Sequence, residues 1–184
     1  DGTDLRDGVD EVPIDLYQRQ QVSTAGAGPA ELAHAYRAAL ADSHGDGVVA
    51  VHLSTALSST LGAAQHAAAE FGGAVAVVDS RSAGMGTGFV ALAAARAARA
   101  GADLDDVAAQ AESAASRVRA FIVVQRLDNL RRSGRIGAAA SWLGTALSVK
   151  PLLRIDDGKL VLAQRVRTSS KATAAMVEQV LDTV

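Results

Sequence analysis

Two short apolar runs rich in β-branched residues, 48–53 and 74–78, each follow a glycine-bearing turn. Each ends in small polar residues and leads into a helix-forming segment. Runs of this length and character read as buried strands. Strands alternating with helices in this rhythm indicate a parallel α/β sheet. Pro13 opens a short helix running to about Gln20. Pro29 opens the next, to about Asp42, with Leu32, Tyr36 and Leu40 on one face. A third runs from about Ser59 to Glu70, before Gly72-Gly73. A long helix after Gly84-Met85-Gly86-Thr87-Gly88 reaches Arg99, Gly101 stops it, and Asp103 or Asp105 starts another to about Arg117.

After residue 117 the texture changes. Residues 119–125 read as a strand, 127–132 as a short helix, 133–137 as a turn and 138–147 as a helix. Residues 149–155 and 159–166 then flank Asp156-Asp157-Gly158. Asp-Gly between two apolar runs predicts a β-hairpin. A final helix starts near Ser169. The expected architecture is α/β: a parallel sheet unit over residues 1–117, then a smaller α+β unit with an antiparallel hairpin over 118–184.

Composition narrows the function classes. Hydrophobic residues make up 49% of the 184 and aromatics 3%, so the core is built from Ala, Val and Leu. The formal net charge of −2 argues against a nucleic-acid binder. The absence of Cys removes disulfides, thiol nucleophiles and Cys-based zinc sites. His–carboxylate metal spacing is lacking too, so no metal is expected. The first ten residues are acidic and polar, which gives no signal-peptide pattern. Apolar runs stop well short of the ~20 residues a membrane span needs. A cytoplasmic protein without stable membrane insertion is the expectation.

The most informative segment is Ser54-Thr55-Ala56-Leu57-Ser58-Ser59-Thr60, which carries five hydroxyls in seven residues between a strand and a helix. In open α/β sheets, ligands bind beyond the carboxyl ends of the strands. A helix start there receives anions through its N–H groups and dipole. The plainer role of these hydroxyls is helix capping by Ser58 or Ser59. A second hydroxyl-bearing loop, Ser23-Thr24 within 22–28, offers further neutral donors. Both segments can serve one anionic head group, and neither brings a strong base.

Enzymatic readings find less support. No Gly-x-Ser-x-Gly elbow occurs. Of the four His, only His52 lies near the Ser54 turn, where it is either a base for Ser58 or a buried structural residue. Gly84-x-Gly86-x-Gly88 departs from the dinucleotide fingerprint and reads as close helix packing. Arg126, Arg131, Arg132 and Arg135 cluster around Ser133-Gly134, as a solvated patch or a dock for an acidic partner or phosphate.

An ordered series of motifs resembles the DegV family of bacterial fatty-acid-binding proteins, the carriers used by fatty acid kinase. The series begins with Asp1-Gly2, Arg6-Asp7-Gly8-Val9-Asp10, Ser23-Thr24 before Pro29-Ala30-Glu31, and Leu53 through Thr60. It continues with Asp79-Ser80-x-Ser82-Ala83-x-Met85-Gly86-x-Gly88 and Leu130-x-x-Ser133-Gly134-Arg135-Ile136. Lys150-Pro151-Leu152, Asp157-Gly158-Lys159-Leu160 and Val166-Arg167 complete it.

The resemblance implies a two-domain lipid binder without turnover of its own and without a cofactor. One long acyl chain would lie between the domains. By motif match, its carboxylate would be held by Ser23 and Thr24 and by Ser54, Thr55 and Ser58. Arg135 falls in the family's kinase-facing segment, as a contact to the partner kinase or to the acyl phosphate. The family loop Thr-Thr-Ser-Gln-Pro is replaced here by Ser23-Thr24-Ala25-Gly26-Ala27. The family pattern also begins earlier and ends later, so the chain resembles a member truncated at both ends. The alternative function is a serine-dependent hydrolase or phosphatase using Ser58.

Overall fold

Parallel strands need a crossover, and a strand with apolar residues on both faces needs cover on both. The chain meets both demands with helices. A computed structural model describes residues 4–6, 8–13, 16, 22–124, 130–131, 133–136 and 150–183. The helix expected at 138–147 lies outside the described residues, as does most of each of those expected at 13–20 and 127–132.

Helix α1 (Pro29–Asp42) begins with Pro29, and Glu31 Oε2 accepts the Gly28 N–H at 2.9 Å. Strand β1 (Val48–His52) follows, then α2 (Thr60–Ala68), which tightens into a 3-10 turn at Ala69–Phe71. Gly72 ends this segment with a left-handed φ of 57°. Strand β2 (Val75–Asp79) lies parallel to β1, with Val48 opposite Val75 and His52 opposite Asp79. Helix α3 (Met85–Arg99) and helix α4 (Leu104–Arg117) come next, and Asp103 Oδ1 caps α4 by accepting from Asp106 N at 2.9 Å.

Cover on both faces of the strand explains why 48–51 reads as continuously apolar. Ala50 packs with Leu32, Ala33 and Tyr36 of α1 and with Ala64, Ala67 and Ala68 of α2. Val49 and Val51 pack instead with Val90 and Ala94 of α3 and with Val107, Ala111 and Ala114 of α4. The parallel sheet is thus sandwiched between two helix layers. Small Ala side chains let the helices approach closely, which suits a core with few aromatics.

The second sheet is antiparallel: β3 (Ala120–Val123), β4 (Lys150–Asp156) and β5 (Lys159–Val166), with β4 central. The expected hairpin turn is present. Asp157 and Gly158 both have positive φ, 45° and 76°, the pattern of a tight primed turn. Pairing slips by one residue where Leu153 faces Leu162 and Leu152 faces Gln164. This bulge reverses the facing of β5. Leu160 and Leu162 join one cluster, whereas Val166 joins the opposite one. Helix α5 (Ser169–Leu181), capped by Thr168 Oγ1 accepting from Lys171 N, covers that second face with Ala172 and Ala175.

The two sheets meet through the other face. Leu57 after β1 and Ala83 after β2 pack against Ile136, Leu153, Ile155 and Leu160. The carboxyl ends of the parallel strands therefore abut the antiparallel sheet.

Candidate functional site at the carboxyl end of the parallel strands

The 54–60 turn leaves β1 under tight backbone control. Leu57 N and Ser58 N both donate to Ser54 O, at 3.0 and 3.1 Å. Ser54 N donates to Ser82 O at 2.8 Å, which ties the turn to the loop after β2. Ser54 itself is 1% exposed. Its hydroxyl donates to Gly158 O at 2.8 Å and accepts from Ala56 N at 3.1 Å.

The other hydroxyls of the turn sit nearer the surface. Ser58 Oγ lies 2.8 Å from Thr60 Oγ1 and accepts from Thr60 N at 3.2 Å. Ser58 thus steadies the start of α2, while Ser59, the N-cap residue, makes no side-chain cap bond. Thr55 is exposed, and its N–H reaches Asp79 Oδ2 at 3.4 Å.

The glycine-rich 22–28 loop crosses this helix start. A Cβ on Gly26 would collide with Thr60 Oγ1 and lie 3.9 Å from Ser58 Oγ. The loop holding Ser23 and Thr24, both exposed, therefore runs beside Ser58. Arg135 joins from the second unit: its Nε donates to Leu57 O at 3.2 Å and its Nη1 to Ser133 O at 2.9 Å. One guanidinium, several hydroxyls and the positive end of α2 converge on one turn. That combination suits a carboxylate or phosphate.

Spacing alone did not disclose several supporting groups. Arg81 and Asp157 form an exposed ion pair at 3.8 Å across the seam between the sheets. Below it, buried Ser80 Oγ lies 2.8 Å from Thr87 Oγ1 and accepts from Ser82 N at 3.2 Å. A Cβ on Gly86 would collide with buried Ser82 Oγ, so close packing accounts for Gly86, whereas Gly84 has open space around it and instead takes a positive φ of 55°.

His52 faces the α1–α2 layer, on the same side of β1 as Ala50. Its Nε2 lies 2.8 Å from Tyr36 Oη, and the two rings meet edge to face. Burial lowers its pKa below the ordinary histidine value. This is the structural role, with the ring nitrogen engaged by Tyr36. Among the described residues no group of three or more His, Asp or Glu could hold a metal ion. No helix among them is long and apolar enough to cross a membrane.

A family model described as "Uncharacterised protein, DegV family" matches residues 1–184. The chain belongs to the DegV family. A DegV domain-containing protein of Mycobacterium tuberculosis is 65% identical over 184 residues, covering 100% of this chain and 65% of that protein. The chain thus spans 65% of the length of that relative. A solved DegV family protein from Corynebacterium glutamicum is 41% identical with a TM-score of 0.81, covering 88% of this chain and 61% of its own. A DegV family protein from Thermus thermophilus, solved in a study of fatty acid binding, is 35% identical with a TM-score of 0.78. That match covers 86% of this chain and 56% of the other. The DegV relationship agrees with the observed pairing of a parallel and an antiparallel sheet.

Proposed function

We propose that this DegV chain binds a long-chain fatty acid between a unit spanning 1–117 and one spanning 118–184. In this reading the carboxylate rests on the 54–60 turn. Thr55 and Ser58 donate to it from the turn, Ser23 and Thr24 from the crossing loop, and Ser54 supports it from beneath. The observation that carries the reading is the meeting of Ser58, the Gly26 loop and the start of α2 at one turn, with Arg135 beside it on the Leu57 carbonyl. The fatty acid binding of the Thermus thermophilus relative supports the choice of anion.

Energetics favour such a ligand. Each buried CH₂ contributes about 0.8 kcal/mol, so a long tail supplies on the order of 10 kcal/mol before ordering costs. Charge-assisted hydrogen bonds to the head add about 1.5–3 kcal/mol each. The chain acts as a carrier that presents the carboxyl group to a fatty acid kinase for acyl-phosphate formation, with Arg135 facing that kinase or the new phosphate. No cofactor is required, and the setting is the bacterial cytoplasm. A hydrolase using Ser58 draws no support from His52, whose Nε2 is bonded to Tyr36.

Titration of delipidated protein with a long-chain fatty acid tests the reading. Saturable one-to-one binding, weakened by Thr24→Ala combined with Ser58→Ala, is expected. Unchanged affinity in that double variant would place the head group elsewhere.

A further inference from the structure

The hairpin tip of the antiparallel sheet reaches the turn proposed to hold the head group. Ser54 Oγ donates to Gly158 O across 104 positions of sequence. Two features allow that approach only to glycine at 158. Its φ is 76°, and a Cβ there would collide with Ser54 Oγ. The Arg81–Asp157 pair spans the same seam, and Leu57 packs into the cluster of Leu153, Ile155 and Leu160. The turn bearing Thr55 and Ser58 is thus fastened to β4–β5 by a buried hydrogen bond and an apolar contact.

We infer that the Asp157-Gly158 tip is a latch on the 54–60 turn, with Ser54 as its positioning residue, and that the latch governs how long an acyl ligand stays bound. The hydroxyl proton of Ser54 is committed to Gly158 O, and its oxygen already accepts from Ala56 N. Ser54 therefore acts on the ligand through the shape of the turn, while Thr55 and Ser58 meet the head group. Releasing the latch frees the turn to move away from the antiparallel sheet, which opens the seam between the two units. This inference rests on the carboxylate reading of the turn.

The test compares wild type, Ser54→Ala, Gly158→Ala and the double variant in the full-length chain. Two quantities are read: amide hydrogen exchange at Ala56, Leu57 and Ser58, and the dissociation rate of oleate. Both single variants should speed exchange at these amides with α4 unchanged. Both should speed oleate release about fivefold, as expected for one lost hydrogen bond, with association nearly unaltered. The double variant should be no worse than the poorer single one, because both break one contact. If Gly158→Ala does not fold, Gly158→Asn tolerates the left-handed backbone and still sets a Cβ against Ser54. Slower exchange, unchanged exchange with binding lost only in Ser54→Ala, or additive losses would overturn the latch. A wild-type chain that binds no oleate refutes the proposed ligand instead, and the exchange measurements still decide whether the tip holds the turn.

Discussion

Replacing Ser58 by Ala separates the head-group contact from the structural one, because the side chain serves both. Its oxygen accepts from Thr60 N at 3.2 Å and bonds Thr60 Oγ1 at 2.8 Å. Removing it uncaps the start of α2, which should lower stability by about 0.5–1 kcal/mol, since water replaces part of the lost bond. The effect on ligand is larger. One charge-assisted bond to a carboxylate is worth about 1.5–3 kcal/mol, so affinity should fall about thirtyfold for a loss near 2 kcal/mol. The acyl tail and its burial stay intact. The control is the fatty alcohol of equal length, which buries the same tail without the charge. Calorimetric titration of both ligands into wild type and Ser58→Ala should show the large loss for the acid and only a few-fold loss for the alcohol. Equal losses for the two ligands would refute the reasoning, because the change would then act through the fold and not through the charge.

Tyr36→Phe keeps the edge-to-face contact with Phe71 but removes the bond to His52, so urea unfolding should show about 1–2 kcal/mol less stability. The His52 pKa is lowered in the folded state, so below about pH 6.5 the unfolded chain binds a proton that the folded chain does not. The His52 contribution to stability is therefore full above that pH and declines as pH falls toward the folded value; His52→Gln should flatten this part of the unfolding profile. Arg135→Ala should leave fatty-acid affinity nearly intact and impair kinase-coupled phosphorylation; a large loss of binary lipid binding with normal coupling would contradict its role.

Local periodicity made much of the fold legible. Leu32 and Tyr36 are buried on the α1 face, with Leu40 packed against the same cluster. The Asp157-Gly158 hairpin also follows from local chemistry, since its positive φ values suit those two residues. What stayed hidden depends on contacts distant in sequence. Asp-Gly announces a turn, but not that the Gly158 carbonyl would take the Ser54 proton. Hydroxyl density marked the 54–60 turn, yet it could not separate buried Ser54 from exposed Thr55, because that distinction comes from the second sheet. The Arg135 cluster was visible as charge, and only tertiary packing sets its Nε on Leu57 O. Similarly, the bulge that sends Val166 to the α5 face leaves no mark that alternation can detect.

The most direct test of the central claim is native mass spectrometry of the chain after gentle purification without added lipid. The account predicts a population heavier than the protein by the mass of one long-chain fatty acid, released as a carboxylate on activation. Protein that carries no acyl ligand, and stays at its bare mass after incubation with long-chain fatty acids, would contradict it.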